Sequence, residues 1–236
     1  MTDWTQQVLA RLTEARDAAG AFEQISAAAR HLGFEHCAYG LRKPFPFTRL
    51  EARMLSTYDE GWNRRYLEAG YLQVDPTVLH GIHSLQPVVW SDRLFRRAPQ
   101  LWEEAQSFGL RVGWAQSIFD ADGRIGMLSL ARSSGRLSEA ERRAHDPLLR
   151  WLVNTAHCAL SQYLGRSPLS EMEPLTARQL EVMRWTADGK TSEEIAAILG
   201  LSTPTVNFHI RNAIAKLRAN NKNSAVARSS RLGILG

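Results

Sequence analysis

Cysteine is scarce. The 236 residues hold only Cys37 and Cys158, far apart and outside any CxxC. That excludes a disulfide scaffold and leaves two buried free thiols in a reducing cytoplasm as the expectation. Long apolar runs are missing too: none approaches the ~18–20 residues needed to span a bilayer, so no membrane partner is expected. Met1-Thr2-Asp3-Trp4 carries no basic region leading into an apolar stretch, so no signal peptide is expected. Histidines His31, His36, His80 and His83 are scattered, with no HxH or HxxxH, and no Ser or Cys sits in a recognisable nucleophile turn. Metal-ligand spacing is therefore absent, and an enzyme is disfavoured: no catalytic residue, metal or cofactor is expected.

What remains is an ordinary globular composition, 44% hydrophobic and 22% charged, with net charge +5. The charge is unevenly placed. Residues 173–236 carry nine Lys/Arg against five Asp/Glu, whereas the preceding 172 carry twenty against nineteen. A small basic segment behind a near-neutral one points to an acidic partner, nucleic acid first.

Hydrophobic period divides the chain. Trp4, Val8, Leu9 and Leu12 recur at helical spacing, as do Phe22, Ile25, Ala29 and Leu32, with Gly33 as a stop. Residues 34–41 and 53–58 read as strands, with Pro44 and Pro46 between them. Residues 59–69 return to helix, and Asp75-Pro76 opens a short helix toward His83. Val88 to Trp90 is a short strand, and 99–108 a helix stopped by Gly109. Residues 112–119 and 124–131 read as a hairpin around Asp120-Ala-Asp-Gly123. Ser138-Glu-Ala-Glu141 is a capping box that starts a long helix to about Leu164. The order predicts the α+β class, an antiparallel sheet flanked by helices, over residues 1–165. A Gly/Pro/Ser break then marks a linker at 166–172.

Residues 173–236 read as four short helices, an all-α domain. Thr176-Ala-Arg-Gln179 and Thr191-Ser-Glu-Glu194 are capping boxes, and Ser202 with Pro204 starts the third helix. Ile195, Ile198 and Leu199 are expected inward on the second helix, and Val206, Ile210, Ala213, Ile214 and Leu217 on the third. Two helices joined by Gly200-Leu-Ser202 form a helix-turn-helix. Thr203, Asn207 and Arg211 then share the outer face of the third helix, where side chains reach base edges in a major groove. Thr205 stands in the same first turn. Lys190, Lys216, Arg218 and Lys222 are candidate phosphate contacts. Taken alone, a helix with a polar outer face is ordinary; the turn, the caps and the charge together favour double-stranded DNA.

The tail also carries a resemblance. Leu175-Thr-Ala-Arg178, Glu181-Val182, Trp185-Thr-Ala-Asp-Gly-Lys190, Glu194-Ile-Ala196 and Thr205-Val-Asn-Phe-His209 resemble the LuxR-type DNA-binding domain. Gln179 and Met183 stand where that family usually has Glu and Leu. The family's activating contacts are made from the first helix of the tail, which makes RNA polymerase a candidate partner. A phosphorylated receiver domain shares such tails, but residues 1–60 lack its paired acids.

In the first domain Tyr58, Trp62 and Tyr66 lie on one helical stripe, and Asp75, Trp90, Gly113 and Ser129 follow. Each has a plain structural explanation: a core stripe, an N-cap, packing. Jointly they are similar to the autoinducer-binding domain of quorum-sensing receptors, and Phe34 to Gly40 and Pro44 to Thr48 resemble the subgroup that includes RhlR and QscR. The resemblance implies an α-β-α sandwich and an N-acyl-homoserine lactone as ligand. It also implies roles. Asp75 accepts from the amide N–H, Trp62 donates to the lactone carbonyl, and Tyr58 and Ser129 donate to the amide carbonyl. Trp90 packs on the ring and Tyr66 flanks the chain. Gly40, Arg42, Val78, Trp102, Leu110, Ile125 and Met127 are expected around the tail. Without ligand, Asp75 and its neighbours should be partly unsatisfied, coupling binding to folding. The implied protein is a cytoplasmic homodimer, joined through the long helix from Ser138 and the last helix at 225–232, on an inverted-repeat site. An antagonist acting through mixed dimers, or a sensor of a non-lactone ligand, is the alternative.

Overall fold

The computed structural model describes residues 3–121, 123–165 and 172–236. They form two compact units, one spanning 3–120 and 124–165, the other containing 172–236. Residues 166–171 of the expected linker, and Asp122 in the hairpin turn, lie outside the described residues.

The first unit opens with helices α1 (Asp3–Glu14) and α2 (Ala18–His31), followed by strands β1 (His36–Arg42) and β2 (Ala52–Ser56). Helices α3 (Glu60–Glu68) and α4 (Pro76–Gly81) flank a single 3-10 turn at Tyr71–Gln73. Then come β3 (Val88–Val89), α5 (Asp92–Phe95), α6 (Pro99–Ser107), the hairpin β4 (Val112–Phe119) and β5 (Ile125–Arg132), and α7 (Glu139–Leu164). Local chemistry explains most starts. Asp17, Asp59, Asp75, Ser91 and Ser138 each accept a backbone N–H at the mouth of a helix. The first strand starts later than the apolar pattern suggests. Gly33 turns at φ +85°, and the Phe34 N–H returns to the Ala29 carbonyl, so Phe34 still closes α2.

The sheet is antiparallel, in the order β2-β1-β5-β4-β3. Side-chain alternation sorts its two faces. Cys37, Tyr39, Leu41, Trp114, Leu128 and Leu130 face a core completed by α1, α2 and α7, where Ile25, Leu149, Leu152 and Leu160 are fully buried. The intervening residues Ala38, Gly40, Met127 and Ser129 face the other way, toward α3–α6. The last carbonyls of α7, which lacks a basic residue in its own final turn, are taken by arginines from the sheet side. Arg53 donates to the Leu164 carbonyl, and Arg124 to those of Ser161 and Gly165.

The second unit is helical: α8 (Ala177–Ala187), α9 (Ser192–Leu199), α10 (Thr203–Lys216) and α11 (Lys222–Arg231). The capping boxes expected at Thr176 and Thr191 form, whereas the one expected at Ser138 is only half made: Ser138 accepts the Glu141 N–H, but the Glu141 carboxylate is taken by Arg132 instead of reaching back to the cap. Gly200 ends α9 at φ +64°, a left-handed turn that lets α10 start three residues later. Val182, Ile195, Val206 and Ile210 make one core cluster, and Met183, Ala213, Leu217 and Ala225 another. Ile198 departs from expectation. It is 45% exposed, and Ala196 is buried in its stead, because Ile195, Ala196 and Leu199 already fill the face of this two-turn helix. Cys158 is likewise exposed, on the outer face of α7, whereas Cys37 is buried. Among the described residues no helix is long and apolar enough to cross a membrane.

Candidate functional site

Between the sheet and helices α3–α6 lies a cavity with mainly apolar walls. Its floor is the alternate face of β1, β2, β4 and β5, carrying Gly40, Met54, Ser117, Ile125, Met127 and Ser129. Its cover includes Trp62 and Tyr66 of α3, Val78 and Gly81 of α4, and Leu101 and Ala105 of α6. A guanidinium–carboxylate fork ties the cover together: Arg65 of α3 donates to both oxygens of Glu104 on α6, at 2.7 and 2.8 Å. Arg65 holds the Glu104 carboxyl down at about 2.

Tyr66, Asp75 and Thr77 of the lining form one hydrogen-bonded group. Asp75 caps α4, and its Oδ1 accepts both the N–H and the hydroxyl of Thr77, at 2.8 and 2.7 Å. Its Oδ2 accepts the Tyr66 hydroxyl at 2.9 Å. Burial raises the Asp75 pKa, while the hydrogen bonds from Thr77 and Tyr66 pull the other way. The expectation of an unsatisfied Asp75 is thus corrected: in the folded chain its oxygens already have three donors. The unpaired groups are other members of the cavity lining. Tyr58 Oη, Trp90 Nε1 and Ser117 Oγ are buried and make no hydrogen bond among the described residues. Burial pushes the Tyr58 hydroxyl well above its ordinary pKa, so it stays a donor.

Two helices of the second unit carry the other candidate surface. On α10, Asn207, Phe208 and Arg211 are exposed, and Phe208 is 53% exposed despite its size. Ser192, at the start of α9, donates its hydroxyl to Asn207 Oδ1 at 2.8 Å and so orients the amide. Thr203 is the first residue of α10, and the Thr205 hydroxyl pairs with the capping Ser202 at 2.8 Å. Lys190 lies 3.7 Å from Glu194, and Lys216 donates to the Pro174 carbonyl, so both have partners within the unit. Arg218 and Lys222 are exposed beyond the end of α10.

Comparison with known proteins follows this division. Residues 17–160 match the family model described as autoinducer binding domain, and residues 173–229 that of bacterial regulatory proteins, luxR family. The chain belongs to the LuxR family. It is similar to the transcriptional activator protein AnoR of Acinetobacter nosocomialis, 42% identical with all of both chains covered. The quorum-sensing regulator RhlR of Pseudomonas aeruginosa is 37% identical over 98% of this chain and 96% of its own. Among solved structures, SdiA in complex with octanoyl-rac-glycerol superposes with a TM-score of 0.79 at 32% identity, covering 100% of this chain and 98% of that one. The protein is a quorum-sensing transcriptional regulator with an autoinducer-binding domain and a helix-turn-helix that binds DNA. Its relatives are regulators, not enzymes.

In this LuxR-family regulator the cavity brings together Tyr58, Trp62, Tyr66, Asp75, Trp90, Ser129, Gly40, Arg42, Val78, Leu110, Ile125 and Met127. It leaves out two expected residues. Trp102 is spent on packing: its indole stacks on Phe95 at 4.6 Å and donates to Asp92 at 2.7 Å, behind the cavity wall. Gly113 acts from behind Trp90. A Cβ there would stand 2.1 Å from Trp90 Cδ2, so the glycine lets the indole lie flat against β4. Sequence reasoning missed Asn63, which accepts the Ser56 hydroxyl and donates to the Tyr58 carbonyl, fixing Tyr58 at the cavity wall. It also missed Thr77, Ser117 and Phe208. The first could have been read from its place two residues after the capping Asp75. The other two needed the sheet register and the helix face.

Proposed function

We propose that the autoinducer is an N-acyl-homoserine lactone, and that its binding in the first unit controls promoter recognition by the second. The observation that carries the ligand class is one cavity whose mainly apolar walls also carry the polar groups of Asp75, Tyr58, Trp62, Trp90 and Ser129. An amphiphile with an amide and a lactone carbonyl matches that combination. Asp75 Oδ2 retains capacity for a second donor beside Tyr66 and takes the amide N–H. Tyr58 and Ser129 donate to the amide carbonyl and Trp62 to the lactone carbonyl. Trp90 packs on the ring. Tyr66 aligns the Asp75 carboxylate at the root of the chain, and the tail runs among Gly40, Arg42, Val78, Leu110, Ile125 and Met127. The complex of SdiA with octanoyl-rac-glycerol, an eight-carbon acyl ester of a small polar head, supports an acyl amphiphile in this fold.

The sensing domain spans residues 1–165 and the reading domain 173–236, with 166–172 between them. Helix α10 enters a major groove. Asn207 and Arg211 read adenine and guanine edges, and the exposed Phe208 ring meets a thymine methyl. Thr203 shares that base-facing side, and Lys190, Thr205, Lys216, Arg218 and Lys222 set the helix on the phosphates. Two copies, joined through α7 and α11 in the cytoplasm, face the halves of an inverted repeat.

The test is a reporter dose-response over acyl-homoserine lactones of graded chain length, run beside soluble yield of the receptor. A response peaking at one length supports the reading. A flat response across all lengths, with octanoylglycerol active, moves the ligand class away from lactones.

A further inference from the structure

We infer that the ligand bears an oxygen on the third carbon of its acyl chain, and that Ser117 of β4 receives it. This rests on the lactone reading above and adds the substituent that reading leaves open. Ser117 is 2% exposed, lines the cavity, and its hydroxyl has no hydrogen-bond partner among the described residues. Its place is built. A Cβ at Gly81 of α4 would come within 2.1 Å of Ser117 Oγ and 3.4 Å of the Met127 sulfur, so only glycine there leaves the hydroxyl room. A wall meant for hydrocarbon alone would not need this hydroxyl, because a buried polar group is kept where something pairs with it.

Donor counting separates Ser117 from the head-group site. An unsubstituted acyl-homoserine lactone offers two strong acceptors, its amide and lactone carbonyls. The proposed roles of Tyr58, Ser129 and Trp62 meet both. Ser117 stands apart from them along the sheet. Ser129 pairs with Ala115, and Ser117 pairs with Met127. Two residues of strand therefore separate the serines, roughly 7 Å toward the tail at ~3.4 Å per residue. With the amide carbonyl held near Ser129, the next chain atoms toward Met127 include the third carbon. A hydroxyl can donate to a keto oxygen there, or exchange bonds with a hydroxyl. The substituent class is therefore 3-oxo or 3-hydroxy.

The experiment uses the full chain in a reporter strain that makes no lactone of its own. Matched octanoyl, 3-oxo-octanoyl and 3-hydroxyoctanoyl homoserine lactones are compared by half-maximal concentration, and the trio is repeated at six, ten and twelve carbons. For the wild-type protein, one oxygenated member should act at a concentration about three- to tenfold below its unsubstituted match, the range one net hydrogen bond gives. Ser117→Ala should bring that ratio to within about twofold of one. Ser117→Cys, a weaker donor of similar shape, should fall between, and it serves if the alanine variant accumulates poorly. A wild-type protein that prefers the unsubstituted chain, or a Ser117→Ala protein that keeps the wild-type ratio, overturns the assignment while the lactone reading stands. No response to any member overturns both.

Discussion

Tyr66 and Asp75, on adjacent helices of the cavity cover, are joined by a 2.9 Å hydrogen bond from the phenol to Oδ2. The other carboxylate oxygen, Oδ1, is occupied by Thr77 at the mouth of α4. One side chain thus caps a helix and presents a buried oxygen to the cavity. The two roles belong to different oxygens and can be separated by mutation.

Asp75→Asn keeps an oxygen that can cap α4 but exchanges the other for an amide nitrogen, a donor facing Tyr66 and the ligand amide. The melting temperature should change little, while the half-maximal ligand concentration should rise at least about tenfold, as loss of a charge-assisted hydrogen bond implies. Asp75→Ala should add the loss of the cap, about 1 kcal/mol of stability. Thermal denaturation beside reporter titration reads both. A normal ligand response in Asp75→Asn would remove Asp75 from the recognition site.

Gly113→Ala should damage ligand response although Gly113 does not itself line the cavity. The new methyl would stand 2.1–2.5 Å from three carbons of the Trp90 indole, so the ring must leave β4 and enter the cavity. Overpacking of this kind costs about 1–3 kcal/mol. The expected result is a lower melting temperature together with a ligand response weakened at every chain length. Tryptophan fluorescence on ligand addition would show whether Trp90 has moved.

These contacts show what was legible in the chain and what was not. Helix starts are written locally: Asp75-Pro76, Thr176 and Thr191 precede their helices by fixed offsets and cap as read, and Ser138 caps although its box with Glu141 stays half-formed. The hairpin of β4 and β5 is legible for the same reason. Helix α5 is not, since four residues carry less than one full period beyond a turn. Neither is the division of labour inside the site. The aromatic stripe and Asp75 could be picked out, yet the pairing of Arg65 with Glu104 spans 39 positions, and that of Tyr39 with His157 spans 118. Trp102 and Trp90 look alike in sequence, and only their neighbours decide which one packs and which one lines. Ile198 was misplaced because an apolar period cannot tell a buried stripe from one residue beside it.

The Tyr39–His157 pair predicts a pH dependence. His157 Nε2 lies 3.3 Å from Asp120, whose carboxylate only accepts, so the ring proton sits on Nε2 and Nδ1 accepts the Tyr39 hydroxyl at 2.8 Å. Burial lowers the His157 pKa; Asp120 opposes that and Arg124 adds to it. A base whose folded pKa lies below its unfolded value of about 6.5 is protonated first in the unfolded chain. Stability is therefore present above that value and declines as pH falls below it. The melting temperature should drop between pH 7.5 and 5.5, and His157→Gln should flatten that dependence whatever it does to the absolute value. An unchanged slope in the variant would assign the pH effect to other groups.

The reading helix can be tested apart from the sensor. Arg211→Ala removes a guanidinium suited to a guanine edge, at an expected cost of about 1–3 kcal/mol and a loss of discrimination at one base pair. Its ligand-induced thermal shift should stay at the wild-type value, because Arg211 lies in the second unit. Phe208 calls for a different probe. Its ring is exposed beside Asn207 with no charge to offer a phosphate, so its proposed partner is a methyl group. In an operator selected from random duplexes with the full-length protein, replacing thymine by deoxyuridine one position at a time deletes single methyls. Wild-type binding should weaken at one such position in each half-site, and Phe208→Ala should be indifferent to the same replacement. If wild type and variant respond alike at every thymine, Phe208 does not read the base, and its exposure must serve another contact.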